Sequence, residues 1–400
     1  MRITEVHPSY VALHFPLLAP TGQSGWHEDL SYTFSAAKPQ DRFKQQMITY
    51  CDFLKHRLHI CPLDVESDHY FRAGFLFQEY IMDSWVASEH SCLEWWFRHN
   101  QHVIHADLYC GVIDALHEGL NLSCIGWKVI LPSSFTSGPH FIQKCLQDAL
   151  ALLRIHKGSN LFITFTANPN WCEIMEALLP GQSVCDRPDI VARVFHLKVT
   201  SLLDDIMNKK VFGAGVAYIY TVEYQKHGLL HIHLIIFLHP SARLSTTDHI
   251  DQFVSTEFPD EREQLLLHKL VKTHMVHGPC GITHYSPCLN DKKECSKGFP
   301  KLFQEETEIS GESYMKTRRC NTGISVNVCG TEIDNRFVVF YSPYLLMHYQ
   351  AHINIECTTG FNVIKFIYKV CNLSLHALSG MLFQLLICYS IFTMGLIERL

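Results

Sequence analysis

Tyr218-Ile-Tyr-Thr-Val-Glu223-Tyr-Gln225-Lys-His-Gly228-Leu-Leu-His231-Ile-His233-Leu-Ile-Ile-Phe237 reads as two β-strands that reverse at a glycine. β-Branched and aromatic residues fill both runs, and Gly228 sits where the chain must turn. Side chains alternate along a strand, so His231 and His233 share one face while Ile232 enters the opposite layer. Two imidazoles then converge on one point. On the partner strand Glu223 and Gln225 also share a face, and either can add an oxygen ligand. Such a half-open site suits a divalent ion that keeps positions for a phosphate oxygen and water. Taken alone, the pair also fits two packed or backbone-bonded imidazoles, because a chain with 26 histidines produces His-x-His by chance.

Upstream of this hairpin, Leu161 to Thr166 has strand composition, and helical patterns cover Phe141 to Ile155 and Val191 to Asn208. The order helix, strand, helix, strand, strand predicts an α+β fold with an antiparallel sheet backed by helices. Pro132-Ser-Ser-Phe135 and Gly138-Pro139 mark a domain boundary. Before it, residues 1 to 45 read as loops and short strands, and residues 46 to 130 as mainly helical. There Trp85, Trp95, Trp96 and Phe97 are packing anchors, with stacking on bases as the alternative. No internal repeat or low-complexity tract is present. No G-x-x-x-x-G-K-[ST] occurs, so the chain encodes no Walker-type ATP site and no nucleotide cofactor is expected.

The 400 residues are 47% hydrophobic, enough for two or three domains, and the net charge of −6 excludes nucleic-acid coating by bulk charge. Any DNA affinity must come from local basic patches. The N-terminus lacks the apolar core and cleavage site of a secretory signal, so the protein is expected in the nucleus or otherwise the cytoplasm, with its 16 cysteines reduced. Cys51, Cys61, Cys92 and Cys110 show no ligand spacing and read as small buried apolar residues. From Cys371 to Ile397 there is no Asp, Glu, Lys or Arg. That stretch is long enough for a membrane anchor, yet a buried helix, or a foreign sequence fused where the normal continuation was lost, is preferred because nothing upstream looks membrane-associated.

A second constellation is His274-x-x-His277-Gly278-Pro279-Cys280, followed by Cys288 and Cys295 and the basic run Ser296-Lys297-Gly-Phe-Pro300-Lys301. In a reducing compartment, His277, Cys280, Cys288 and Cys295 suit a closed structural Zn²⁺ site, with His274 competing for the imidazole position. Scattered thiols are the alternative. Such a site staples a loop too polar to hold its own core, and Lys292, Lys293, Lys297 and Lys301 would then be placed for DNA phosphates, or simply solvated.

Several segments together resemble the replication-initiator (Rep) region of Helitron transposases, of the His-hydrophobic-His endonuclease class. Leu161-Phe-Ile-Thr-Phe-Thr-Ala167-Asn168-Pro169-Asn170-Trp171 resembles the family's strand ending in Cys-Asn-Pro-x-Trp, with Ala167 replacing the Cys. Asp186-Arg187-Pro188-Asp189 through Phe195 resembles its linking helix. Glu223-Tyr-Gln225-Lys226-His-Gly228-Leu-Leu-His231-Ile-His233 resembles E-F-Q-K-R-G-L-P-H-x-H, with Leu230 replacing the Pro. Weaker matches are His7-Pro8-Ser9-Tyr10, Leu131 to Phe135, the His277 to Lys301 segment, Tyr344-Leu-Leu and Ala351-His352-Ile-Asn354-Ile-Glu356. The resemblance covers residues 7 to about 369. It implies single-stranded DNA as partner, with Lys226 among the DNA contacts. It also implies Mg²⁺ or Mn²⁺ at the histidines, and a tyrosine that attacks phosphate to leave a 5′-phosphotyrosine and a free 3′-hydroxyl.

The family's nucleophile helix, Y-L-x-K-Y-x-x-K, carries two tyrosines four apart on one face. Aligned on the lysines, this chain reads Asn362-Val-Ile-Lys365-Phe366-Ile-Tyr368-Lys369, so Asn362 and Phe366 hold the tyrosine positions. Neither attacks as a phenolate. Tyr368 is the fallback nucleophile, displaced about 200° from Phe366 around an ideal helix. The first reading is therefore a truncated, Helitron-derived Rep-like protein that binds single-stranded DNA and metal but has lost nicking. Alternatives are an active endonuclease using Tyr368 or another tyrosine, and a non-enzymatic zinc-stapled binding module. The expected domains are 1–130, mostly helical; 131–240, the Rep core strands; 241–320, a zinc-binding insertion; 321–370, the rest of the core with the degenerate tyrosine helix; and the tail 371–400.

Overall fold

The computed structural model describes residues 3–31, 47–59, 69–99, 139–156, 161–224, 229–244, 246–280, 288–308 and 316–358. The chain divides into two compact units. The first takes the described residues of Met1–Pro132 and Leu178–Pro188, and the second those of Ser133–Ala177 and Asp189–Met381.

In the first unit, α1 (Tyr10–His14), α2 (Tyr50–Arg57) and α3 (Phe75–His99) carry the core. Thr49 caps α2 by accepting from Asp52 N at 3.1 Å, which satisfies an otherwise orphaned first-turn donor. Val11, Phe15 and Leu18 pack with Phe71, Phe77 and Tyr80, and Trp26 with Tyr50 and Ala87. The helix α1 replaces the loops and short strands expected there; a five-residue helix set between Pro8 and Pro16 is too short for a helical period to be read. Trp95 is also not a packing anchor. It is 60% exposed and stacks on His99, one turn on, at 4.3 Å. Trp85 and Trp96 are half-buried. Nor is Cys92 buried: it is exposed, and Cys51 is half-buried with its thiol 2.9 Å from Ser88 Oγ. An amphipathic surface helix gives small polar-tolerant residues either environment, and spacing in sequence does not say which. Cys61, Cys110 and the 371–397 stretch lie outside the described residues. Among the described residues no helix is long and apolar enough to cross a membrane.

The second unit is mixed α+β. In chain order come α4 (Pro139–Ile155), β1 (Leu161–Thr166), α5 (Cys172–Met175), α6 (Pro188–Met207), β2 (Gly215–Tyr224), β3 (Leu230–Leu238), α7 (Thr247–Phe253), α8 (Leu265–His274), β4 (Ser325–Val328), β5 (Thr331–Asp334), α9 (Pro343–Tyr349) and β6 (Ile353–Cys357). Strands β4 and β5 form a separate hairpin. The main sheet has the order β2-β3-β1-β6, antiparallel throughout.

The pairing register decides which residues share a face. Phe162 lies opposite Ile235 on one side and Glu356 on the other, Thr164 opposite His233 and Asn354, and Thr166 opposite His231. On this face Ile142, Cys145, Ala149, Leu152 and Leu153 of α4, spaced at helical periods, pack on Phe162, Ala217, Ile219, Ile235 and Phe237. On the other face Phe165 meets Phe195 of α6 at 5.5 Å and Tyr349 of α9 at 5.4 Å. Buried polar groups there are paired: Tyr349 Oη donates to Asp205 Oδ2 at 2.6 Å, and Trp171 Nε1 to Tyr349 O at 2.8 Å. The turn after β1 is held in the same way, with Asn168 Nδ2 donating to Gln350 O at 2.6 Å. The sheet is thus clamped by helices on both faces. Beyond the apolar patch under α4, one face continues into polar residues.

Candidate functional site

That polar continuation brings Glu223, His231 and His233 together. Glu223 lies directly opposite His231 across β2 and β3, and Thr221 opposite His233. Glu223 Oε2 is 3.4 Å from His231 Nε2 and 3.8 Å from His233 Nε2, and the two Nε2 atoms are 3.2 Å apart. All three side chains are largely buried. Octahedral Mg²⁺ holds oxygen ligands at about 2.0–2.1 Å, so adjacent ligands of such an ion stand about 3 Å apart. The three atoms stand slightly wider than that, and a small inward shift would let the group hold one cation. Among the described residues, Glu223 Oε1 and His231 Nδ1 are buried without a hydrogen-bond partner, as are Thr166 Oγ1 and Thr221 Oγ1 beside them.

The ring of His233 is oriented by its neighbours. Its Nδ1 is 3.1 Å from Thr164 Oγ1, and its plane stacks on Phe162 at 5.6 Å and 11°. With Nδ1 engaged by the hydroxyl, Nε2 is left to face Glu223. Thr164→Val removes that orientation while keeping the side chain's volume. It is expected to weaken Mn²⁺ binding by about 10–100-fold with little loss of fold, measured by calorimetric titration.

Burial pushes the His233 imidazole from 6.5 down to about 4, Glu223 opposing and His231 reinforcing the shift. A neutral ring keeps the lone pair that a cation needs. The unfolded chain binds the proton more tightly, so this contribution is complete above pH 6.5 and is lost as pH falls from 6.5 through 4. At about 1.4 kcal/mol for each pH unit between those values, the full loss is on the order of 3–4 kcal/mol. Denaturant titrations at pH 7, 6, 5 and 4 should show the decline, and His233→Asn should flatten it.

Other residues singled out from the sequence fall as follows. Gln225, Lys226, Asn362, Lys365, Phe366, Tyr368 and Lys369 lie outside the described residues. His277, Cys280, Cys288 and Cys295 converge: His277 Nε2 is 3.5, 3.5 and 3.4 Å from the three Sγ atoms. With Zn–N and Zn–S bonds of about 2.0 and 2.3 Å, the N-to-S edge of a tetrahedron is about 3.5 Å. This cluster can hold a metal such as zinc. His274 is not part of it; its carbonyl instead lies 2.8 Å from His352 Nδ1. Burial, then Lys297 and Lys301, hold the His277 imidazole below its usual range, in the neutral form a metal requires. Lys292, Lys293 and Lys297 are exposed, whereas Lys301 donates to Lys297 O at 2.8 Å and lies 5.0 Å over the Phe299 ring.

Sequence reasoning missed Thr164, Phe162 and Glu356. The only available signal was their alternation along Leu161–Thr166 and Ile353–Cys357, and it names a face only once the register between distant strands is known.

The second unit's sheet thus defines a class: an antiparallel α+β domain with a carboxylate and two imidazoles grouped on one sheet face, plus a separate Cys₃His cluster. Residues 53–236 match the family described as Helitron helicase-like domain at N-terminus, so the chain carries a Helitron helicase-like N-terminal region. The match includes Glu223, His231 and His233; the Cys₃His cluster and β6 lie beyond it. It points to a transposon-related function and is consistent with nucleic-acid interaction. No curated protein matches the chain.

Proposed function

We propose that the protein is a Helitron-derived, Rep-like single-stranded-DNA-binding protein. It holds a divalent Mg²⁺ or Mn²⁺ at Glu223, His231 and His233 and has lost DNA nicking. The observation that carries this reading is the approach of one carboxylate oxygen and two Nε2 atoms, 3.2 to 3.8 Å apart, on one sheet face. Their chemistry, one hard anionic oxygen and two neutral imidazoles, fits a cation that would orient and polarise a backbone phosphate. Glu223 supplies the charge that offsets the cation, Thr164 and Phe162 orient His233, and α4 closes the apolar end of the face against water. The His277–Cys₃ cluster serves as a zinc staple for the 277–301 segment. Loss of nicking is inferred from Asn362 and Phe366 at the tyrosine positions.

The test combines the full chain, Mn²⁺ and labelled single-stranded oligodeoxynucleotide. Retarded migration that EDTA reverses, with no covalent protein–DNA adduct under denaturing conditions, is the expected outcome. An adduct abolished by Tyr368→Phe would replace this reading with an active endonuclease. No DNA binding with or without Mn²⁺ would leave a zinc-stapled module for another partner.

A further inference from the structure

One cavity of about 770 Å³ opens beside β6, its walls including Lys301, Phe303, Gln304, Lys316 and Glu356. That volume lies within the roughly 300–1,000 Å³ usual for ligand sites. Its position matters more than its size. Glu356 is opposite Phe162 across β6 and β1, and the Phe162 ring stacks on His233. Paired residues of antiparallel neighbours share a face, so Glu356 stands on the same surface as the Glu223–His231–His233 group. Its nearest member, His233, is two strands away, roughly 12 Å between Cα atoms, and Glu223 is three strands away.

We propose that this cavity is a nucleobase pocket for a nucleotide flanking the phosphate held at Glu223, His231 and His233, and that Glu356 selects a base bearing an exocyclic amino group. The inference rests on the single-stranded-DNA reading above. Asn354 Nδ2 donates to Glu356 Oε1 at 2.8 Å, which orients the carboxyl group and leaves Oε2 for a ligand. Carboxylates accept from the cytosine amino group, and adenine and guanine present similar donors, whereas thymine has none. Burial holds the Glu356 carboxyl above its usual range, while Asn354, Lys301 and Lys297 pull it back toward the ionised form. Phe303 contributes an aromatic ring to the wall, backed by the Arg336 guanidinium at 5.0 Å. Lys301 supplies positive charge for an adjoining phosphate, whereas Lys316 is paired with Glu308 of the same wall at 3.7 Å. Arg319 lines the cavity too, but its guanidinium is buried and donates to the carbonyls of Asn335 and Val338.

The experiment is an abasic scan: single-stranded oligodeoxynucleotides with one base removed at each position in turn, titrated in Mn²⁺ against the full chain by fluorescence anisotropy. One position is expected to cost about tenfold in affinity and to disfavour thymine, the base without an exocyclic amino group. Glu356→Leu and the volume-conserving Glu356→Gln should erase or change that preference, and Lys301→Ala should weaken all oligonucleotides alike. Unchanged Mn²⁺ affinity and zinc content certify that each variant is folded; if Glu356→Leu does not fold, Glu356→Gln carries the test. A flat scan, or an unaltered preference in the Glu356 variants, overturns the pocket and leaves the DNA reading standing. Absence of any Mn²⁺-dependent DNA binding by the wild type overturns both.

Discussion

Cys288→Ser or Cys295→Ser is expected to take the protein from one bound zinc per chain to none and to release the 277–301 segment to proteases. The physical reason is the poverty of that segment. Asp291, Lys292, Lys293, Glu294, Lys297 and Gly298 are exposed, and the described part of the loop has little apolar surface to bury. What ties it down is the His277–Cys₃ cluster, the bond from His277 N to Phe337 O at 2.9 Å, and that from Lys301 N to Arg336 O at 3.0 Å. Structural zinc sites supply about 10–16 kcal/mol of apparent binding energy in small peptides, far more than two backbone hydrogen bonds at about 1 kcal/mol each. Metal content by atomic emission and limited proteolysis read the two consequences. Full zinc retention by both variants would dismiss the cluster as a metal site. Loss of zinc should also disturb the cavity beside Glu356, because Lys301 and Gly298 help to line it.

The double variant His231→Ala/His233→Ala is expected to lower Mn²⁺ affinity by at least about 100-fold, or about 3 kcal/mol, while leaving one zinc per chain. Two of the three grouped donors disappear, and Glu223 is left without either imidazole that now faces it. A buried carboxylate with no partner costs stability of its own, so zinc content and far-ultraviolet dichroism serve as the check on folding. Calorimetric titration and the Mn²⁺ paramagnetic signal measure the binding. Undiminished affinity would remove this sheet face from any account of metal binding. The comparison with Cys288→Ser is informative because the two clusters use different donors: three thiolates with one imidazole favour zinc, whereas one carboxylate with two imidazoles accepts Mn²⁺ as well.

Local pattern carried much of the architecture. β-Branched and aromatic composition marks Leu161–Thr166 and the Tyr218–Phe237 run as strands without coordinates, and strand geometry then places His231 and His233 on a common face. The helical stripe Ile142, Cys145, Ala149, Leu152, Leu153 is likewise local. Where the reading went astray, at Tyr10–His14, Trp95 and Cys92, the segment was too short or the question was one of burial on a helix surface. Burial depends on what lies opposite, and the residues opposite come from elsewhere in the chain.

The chain's own order of residues therefore determined the mixed α+β composition, the paired imidazoles and the zinc-like spacing of His277, Cys280, Cys288 and Cys295. Each follows from geometry repeated over a few residues. Only the tertiary structure decided that Glu223 stands opposite His231, that Thr164 and Phe162 orient His233, and that Glu356 shares their surface. The first is set by the register of the β2–β3 hairpin, and the others by the register between β1, β3 and β6, segments separated by up to nearly two hundred residues. Shifting any pairing by one residue would send every side chain of that strand to the other face.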